Sequence, residues 1–198
     1  MPEWLRPVHE RLIVSPPDFD GALEILNRER KRNSDHAKAA EILSEIQNIA
    51  LAASMNNTES SSDYLEAVRL AALGILEMPS VDRLYHFTSA TNLLRIALIQ
   101  ENIQNLKLII ERVICLIEEA PRNDLDDVVR ECWDDLSLHA SVALLVLGRN
   151  EKADQICCLI PKDSPCNDGF VLRHLEPFQV KPTRQMFEYL TRRRSQGD

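Results

Sequence analysis

Residues 123–150 read NDLDDVVRECWDDLSLHASVALLVLGRN. Asp124, Asp126 and Asp127 crowd the start, where carboxylates favour the positive end of a helix dipole. Leu125, Val128, Val129, Cys132, Leu136, Ala140, Ala143 and Leu147 then recur at three- and four-residue steps. From Ala140 to Leu147 the sequence is apolar nearly all round, the mark of a helix with neighbours on every side. Gly148 supplies a C-terminal stop, and Asn150 is placed to cap a further helix through Leu159. A buried central helix closed by a glycine and followed at once by another helix implies an all-α fold.

The same grammar extends upstream. Ala39, Ile42, Leu43, Ile46, Ile49, Ala50 and Ala53 share one helical face behind Ser34, a plausible N-cap. Asp63 with Glu66 has capping-box spacing, and Leu65, Val68, Ala71, Ala72, Ile75 and Leu76 lead to Pro79. Next come Leu84, Phe87, Leu94, Ala97 and Leu98, a break at Glu101-Asn102, and Ile103, Leu106, Ile110, Val113 and Ile117 before Pro121. Pro79, Pro121 and Pro165 lie 42 and 44 residues apart. That recurrence suggests one helical hairpin used three times, over residues 34–165. Short helices are expected over 3–14 and 20–32, and a last one from Pro182. The whole chain, 1–198, reads as one helical domain: N-terminal helices at 1–33, three hairpins at 34–165, and an irregular connection with a basic helix at 166–198.

Bulk composition agrees. Hydrophobic residues make up 44% of the 198, enough for a substantial core, and glycine, a poor helix former, numbers only five. The formal net charge of -8 repels phosphate backbones, so nucleic acid is not the default partner. The first residues carry no signal-peptide pattern, and no run nears the roughly 20 apolar residues that cross a bilayer. Five cysteines without a framework suit reduced thiols. The expectation is a soluble intracellular protein, in cytoplasm or nucleus.

Two segments resemble the tetratricopeptide repeat. Residues Asp63-Tyr64-Leu65-Glu66-Ala67-Val68 with Gly74 and Pro79 are similar to its second helix and closing proline. Leu147-Gly148-Arg149-Asn150-Glu151-Lys152-Ala153 with Pro165 is similar to its turn, small packing residue and proline. In both, an alanine precedes the proline by twelve residues. The family's repeat is shorter, about 34 residues, and a spacing in the low forties also suits HEAT-like hairpins. The middle copy has Ile109 at the small position, and the first helices lack the family's Trp, Gly and Tyr pattern. The resemblance implies a short right-handed array of antiparallel hairpins that binds a peptide or protein on a concave face without catalysis. An irregular helical bundle whose prolines simply follow helix ends is the other reading.

Several clusters bear on function. Asp127, Glu131, Asp134 and Asp135 have helical spacing that a divalent cation could use, but Arg130 lies among them and no Glu-x-x-His pair accompanies them; a solvated face or an acidic rim for a basic partner fits better. Cys157, Cys158, Cys166 and His174 match no zinc knuckle and read as small buried groups. Glycine-rich phosphate loops and nucleophile elbows are absent from the sequence. The expectation is therefore no enzyme, no cofactor and no metal. A protein partner in a hetero-complex would use Arg69, Arg83, Tyr85, Arg95 and Trp133 in a groove, with Arg184, Arg192, Arg193 and Arg194 on the basic terminal helix. The alternative is a nucleic-acid adaptor using basic patches at 28–38 and 181–194.

Overall fold

The computed structural model describes residues 2–56, 60–161, 164, 173–184 and 186–187. Among these residues the protein has eight α-helices and no strand. They are α1 (Arg6–Leu12), α2 (Phe19–Arg32), α3 (His36–Asn56), α4 (Ser61–Leu76), α5 (Arg83–Ile99), α6 (Ile103–Glu119), α7 (Asp127–Val146) and α8 (Asn150–Cys157). Single 3-10 turns occupy Glu3–Leu5 and Arg122–Asp124. The chain divides into two compact units, Met1–Asn92 and Leu93–Asp198, and the division falls inside α5.

In the first unit α1 packs on α2, α2 on α3, and α3 on α4. Asp18 starts α2: its carboxylate accepts the Gly21 amide at 2.9 Å and the Arg11 guanidinium at 2.8 Å. The Gly21 amide chiefly, and Arg11 after it, hold that carboxyl below the usual range despite some desolvation. Asp35, not Ser34, caps α3, because its carboxylate accepts the Ala37 amide at 3.1 Å. Likewise α4 begins two residues before Asp63, which therefore sits within the first turn. Glu66 turns to Arg69 instead of closing a capping box. Gly74 lets α4 lie close on α3: a Cβ there would stand 3.2 Å from Leu43 Cδ1. Ala67 is only half-buried, so the close approach belongs to Gly74. A buried polar triad joins α3 to α5: Gln47 Nε2 donates to Ser89 Oγ at 3.0 Å, and Asn92 Nδ2 donates to Gln47 Oε1 at 2.9 Å.

In the second unit α7 packs on both α6 and α8. Residues 137–145 are all buried, which overlaps the apolar run 140–147 over 140–145 but starts three residues earlier and leaves Val146 and Leu147 half-exposed. Asp126 caps α7 by accepting the Val129 amide at 3.0 Å, with Asp127 in the first turn. The stop at Gly148 is a Schellman turn. Its φ is 73°, Gly148 N–H donates to Leu145 O at 2.9 Å, and Arg149 N–H donates to Leu144 O at 2.8 Å. Asn150 lies inside α8 rather than at its cap, a position held by Arg149, and α8 ends at Cys157. The break between α5 and α6 has the same geometry without a glycine: Glu101 has φ 52°, Asn102 N–H donates to Ala97 O at 2.8 Å, and Asn102 then caps α6. Of the positions placed on the buried stripes, Ile103 and Val128 are exposed instead, and Leu84, Cys132 and Leu147 are only half-buried. Pro79 and Pro121 follow the ends of α4 and α6 as expected, whereas Pro165 is outside the described residues.

Candidate binding surfaces

The residues expected to line one groove are scattered in character. Arg69 on α4 is fully engaged, its Nε and Nη2 both donating to Glu66 at 2.6 Å. Trp133 is 2% exposed, and its indole N–H donates to Ile117 O at 3.4 Å; it is a core residue between α6 and α7 and cannot present a recognition surface. Arg95 is half-buried, and its charge acts on Asp135 and His174. Arg184 is exposed, while Arg192, Arg193 and Arg194 are outside the described residues.

Arg83 and Tyr85 remain on the first turn of α5 in the first unit. Arg83 is exposed and Tyr85 half-buried. Burial chiefly, then the carboxylates of Glu41, Asp82 and Glu45, push the Tyr85 phenol above its usual range. The phenol thus stands among acids contributed by α3 and by the start of α5. Lys38 is drawn to the same edge, donating to Glu41 at 2.6 Å while lying 3.7 Å above the Trp4 ring. The result is an aromatic group in an acidic, partly apolar setting.

The basic stretch at the end of α2 is partly neutralised. Arg32 pairs with Glu29 at 3.1 Å and Arg30 donates to Asn33 O at 3.2 Å; Arg28 and Lys31 are exposed. These charges also complement the C-terminal dipole of α2.

The acidic spacing on α7 does not converge on one point. The Asp134 side chain is wholly buried and accepts both Nε and Nη2 of Arg122, at 2.6 and 2.9 Å. Asp127 pairs with Arg130 at 2.8 Å on the outside, and Asp135 faces His139. Among the described residues no three His, Cys, Asp or Glu side chains are grouped to hold a metal ion. The expected Cys/His set disperses too: Cys157 is buried, Cys158 exposed, and Cys166 outside the described residues. Burial first, then Asp135 and Glu131, raise the Cys132 thiol, which disfavours the reactive thiolate.

One constellation carries no sequence signal at all. His139 Nδ1 donates to the Asp135 carbonyl at 2.8 Å and lies 3.4 Å from the Asp135 carboxylate. The ring of His174, from a distant segment, stands 6.0 Å from that of His139, centroid to centroid. Both histidines are buried, at 2% and 8% exposure. Burial of Asp135 would raise its carboxyl, but the hydrogen bond and charge of His139 and the charge of Arg95 outweigh it, and the net direction is down. His174 moves the other way for a base: desolvation, then the charges of His139 and Arg95, lower it to about 4.

A shallow hollow of about 540 Å³ adjoins the turn between α7 and α8, lined by Arg149, Lys152 and Gln155 among others. Its cations are committed to acids on α6, Arg149 to Glu111 and Lys152 to Glu118. No helix among the described residues is long and apolar enough to cross a membrane. Fold and surfaces together define an all-α protein of packed helices with polar, partly aromatic patches. No known protein family, curated protein or solved structure matches the chain.

Proposed function

We propose that the protein is a noncatalytic helical scaffold, its hairpins forming a short array, that binds a basic segment of a protein partner on the surface around Tyr85. The observation that carries this reading is the half-buried Tyr85 phenol set among Glu41, Glu45 and Asp82. An aromatic ring with an apolar body and a polar tip is a strong anchor in protein interfaces. Carboxylates around it select cationic partners and speed their approach. Large side chains on exposed helix faces, such as Leu70 of α4 and Leu108 of α6, add apolar area that a scaffold in a complex can cover.

The test compares the tagged chain with its Tyr85→Ala and Glu45→Lys variants in pull-downs from native lysate, with and without nuclease. The expected result is one stoichiometric protein that survives nuclease, with at least tenfold weaker capture by both variants. Both variants should keep the wild-type helical circular dichroism. Capture unaffected by either substitution would remove Tyr85 and its acids from the interface. Capture lost after nuclease would favour a nucleic-acid adaptor acting through Arg28 and Lys31.

A further inference from the structure

Lys38, Glu41 and Glu45 stand three and four residues apart on α3 and so share one helical face. Lys38 and Glu41 form an ion pair at 2.6 Å, with their side chains 26% and 39% exposed. The same ammonium lies 3.7 Å from the centre of the Trp4 ring. Glu45 is half-buried and has no ion-pair partner among the described residues. Its charge, with those of Glu41 and Asp82, acts on the Tyr85 phenol. All of these residues belong to the first unit.

An ammonium over an indole face, with a carboxylate at hydrogen-bond distance, is how a protein holds a lysine side chain. The ring quadrupole attracts the charge, and the carboxylate accepts an N–H. Here the place is filled from within, by a side chain whose four-carbon stem is flexible enough to swing aside. Trp4, Lys38, Glu41, Glu45 and Tyr85 are each partly exposed, so the place is open to a partner from outside. Glu41, Glu45 and Asp82 outnumber Lys38 in this group, which attracts a second cation before Lys38 moves. Arg83, two residues before Tyr85, lies about 200° round α5 from it.

We propose that Lys38 is an internal stand-in, and that the Trp4 face and the Glu41 carboxylate take an unmodified lysine side chain of the partner when Lys38 swings out. This rests on the reading that a basic segment binds around Tyr85, and it names the residue of that segment which is recognised. The 2.6 Å contact selects an ammonium that carries N–H groups, because Glu41 accepts one. A trimethylated nitrogen has none to donate, and an acetylated one has lost its charge. Methylation or acetylation of that lysine therefore weakens the complex. Lys38 competes for its own place, so apparent affinity is reduced by the fraction of molecules in which it has swung out.

The probes are end-blocked pentapeptides with a central lysine between pairs of alanines, and the same peptide carrying trimethyllysine or norleucine instead. The readout is the Trp4 indole N–H signal in NMR spectra of the full chain, distinguished from that of Trp133 with Trp4→Phe. The lysine peptide should shift this signal saturably. Binding should be about fivefold tighter in Lys38→Met, which keeps an apolar stem but removes the competing charge. The trimethyllysine and norleucine peptides should each bind at least about fivefold more weakly than the lysine peptide. Affinity unchanged or lowered in Lys38→Met overturns the stand-in; because the expected effect is a gain, misfolding does not imitate it. A trimethyllysine or norleucine peptide that binds as well as the lysine peptide overturns the choice of occupant. The scaffold reading fails separately, in pull-downs indifferent to Tyr85→Ala. Capture that needs Tyr85, beside peptide binding indifferent to Lys38→Met, removes this proposal alone.

Discussion

A buried carboxylate with one bidentate partner concentrates stability at a single pair. Asp134 is wholly buried, and Arg122 satisfies both its oxygens from a position one quarter exposed. Arg122→Met would keep much of the packing but leave a buried charge, so it should cost about 3–5 kcal/mol. Urea denaturation measures this, and a loss under about 1 kcal/mol would mean that water replaces the guanidinium. The small residues behave differently from one another. Ala153 is wholly buried, and Ala153→Leu should overpack its site and cost about 1–3 kcal/mol. Ala67 is half-buried, and Ala67→Leu should change stability by no more than about 0.5 kcal/mol. Equal losses in thermal denaturation would contradict that difference in burial. Sequence pattern placed both alanines in equivalent roles because the motif match sees residue type and spacing, and burial depends on which helix lies opposite. Trp133 illustrates the same limit: an indole flanked by acids reads as exposed until Ile117 O is found waiting for its N–H.

Helices were legible where the apolar period ran long, and less so at their ends. The buried run of α7 overlaps its apolar stretch but begins three residues earlier, at Ser137, and stops at Leu145, and Gly148 closes the helix as expected. Cap positions shifted by one or two residues because several competent caps stand side by side, Ser34 beside Asp35 and Ser60 ahead of Asp63. Which one folds into the cap is decided by the packing that sets the helix register, and local propensity alone does not fix it. The turn between α5 and α6 shows this competition most sharply. Its geometry calls for a left-handed residue, yet position 101 holds glutamate at φ 52°. Glu101→Gly removes that conformational cost, about 1–2 kcal/mol, and adds back part of it as entropy of the unfolded chain. A net gain of about 0.5–1 kcal/mol in urea denaturation is expected, with no change in helical circular dichroism. A net loss would show that the Glu101 side chain makes a compensating contact.

At the scale of the whole molecule, composition established the all-α class, while the groups that govern its response to acid were out of reach. Asp135 and His139 are helical neighbours on α7, but His174 arrives from a separate segment and Arg95 from α5. No spacing rule links such positions; only the packed second unit does. Their opposite sensitivities set two pH windows. Asp135, lowered by His139 and Arg95 despite its burial, contributes stability that is present above its ordinary value of 3.8 and is lost as pH falls below that. His174, lowered to about 4, contributes stability that is present above 6.5 and lost between 6.5 and 4. Acid should therefore act first through His174. Lowering the pH from 7.5 to 5 should reduce the free energy of unfolding by about 2 kcal/mol through this one group. Over the same interval the ellipticity at 222 nm should hold, because α3 to α7 carry most of the helix among the described residues. A falling urea midpoint with constant ellipticity is the expected outcome, with the fall absent in His174→Phe. Loss of much of the helical signal by pH 5 would place the first acid-sensitive group in the helical core instead, and His174 would then be a bystander.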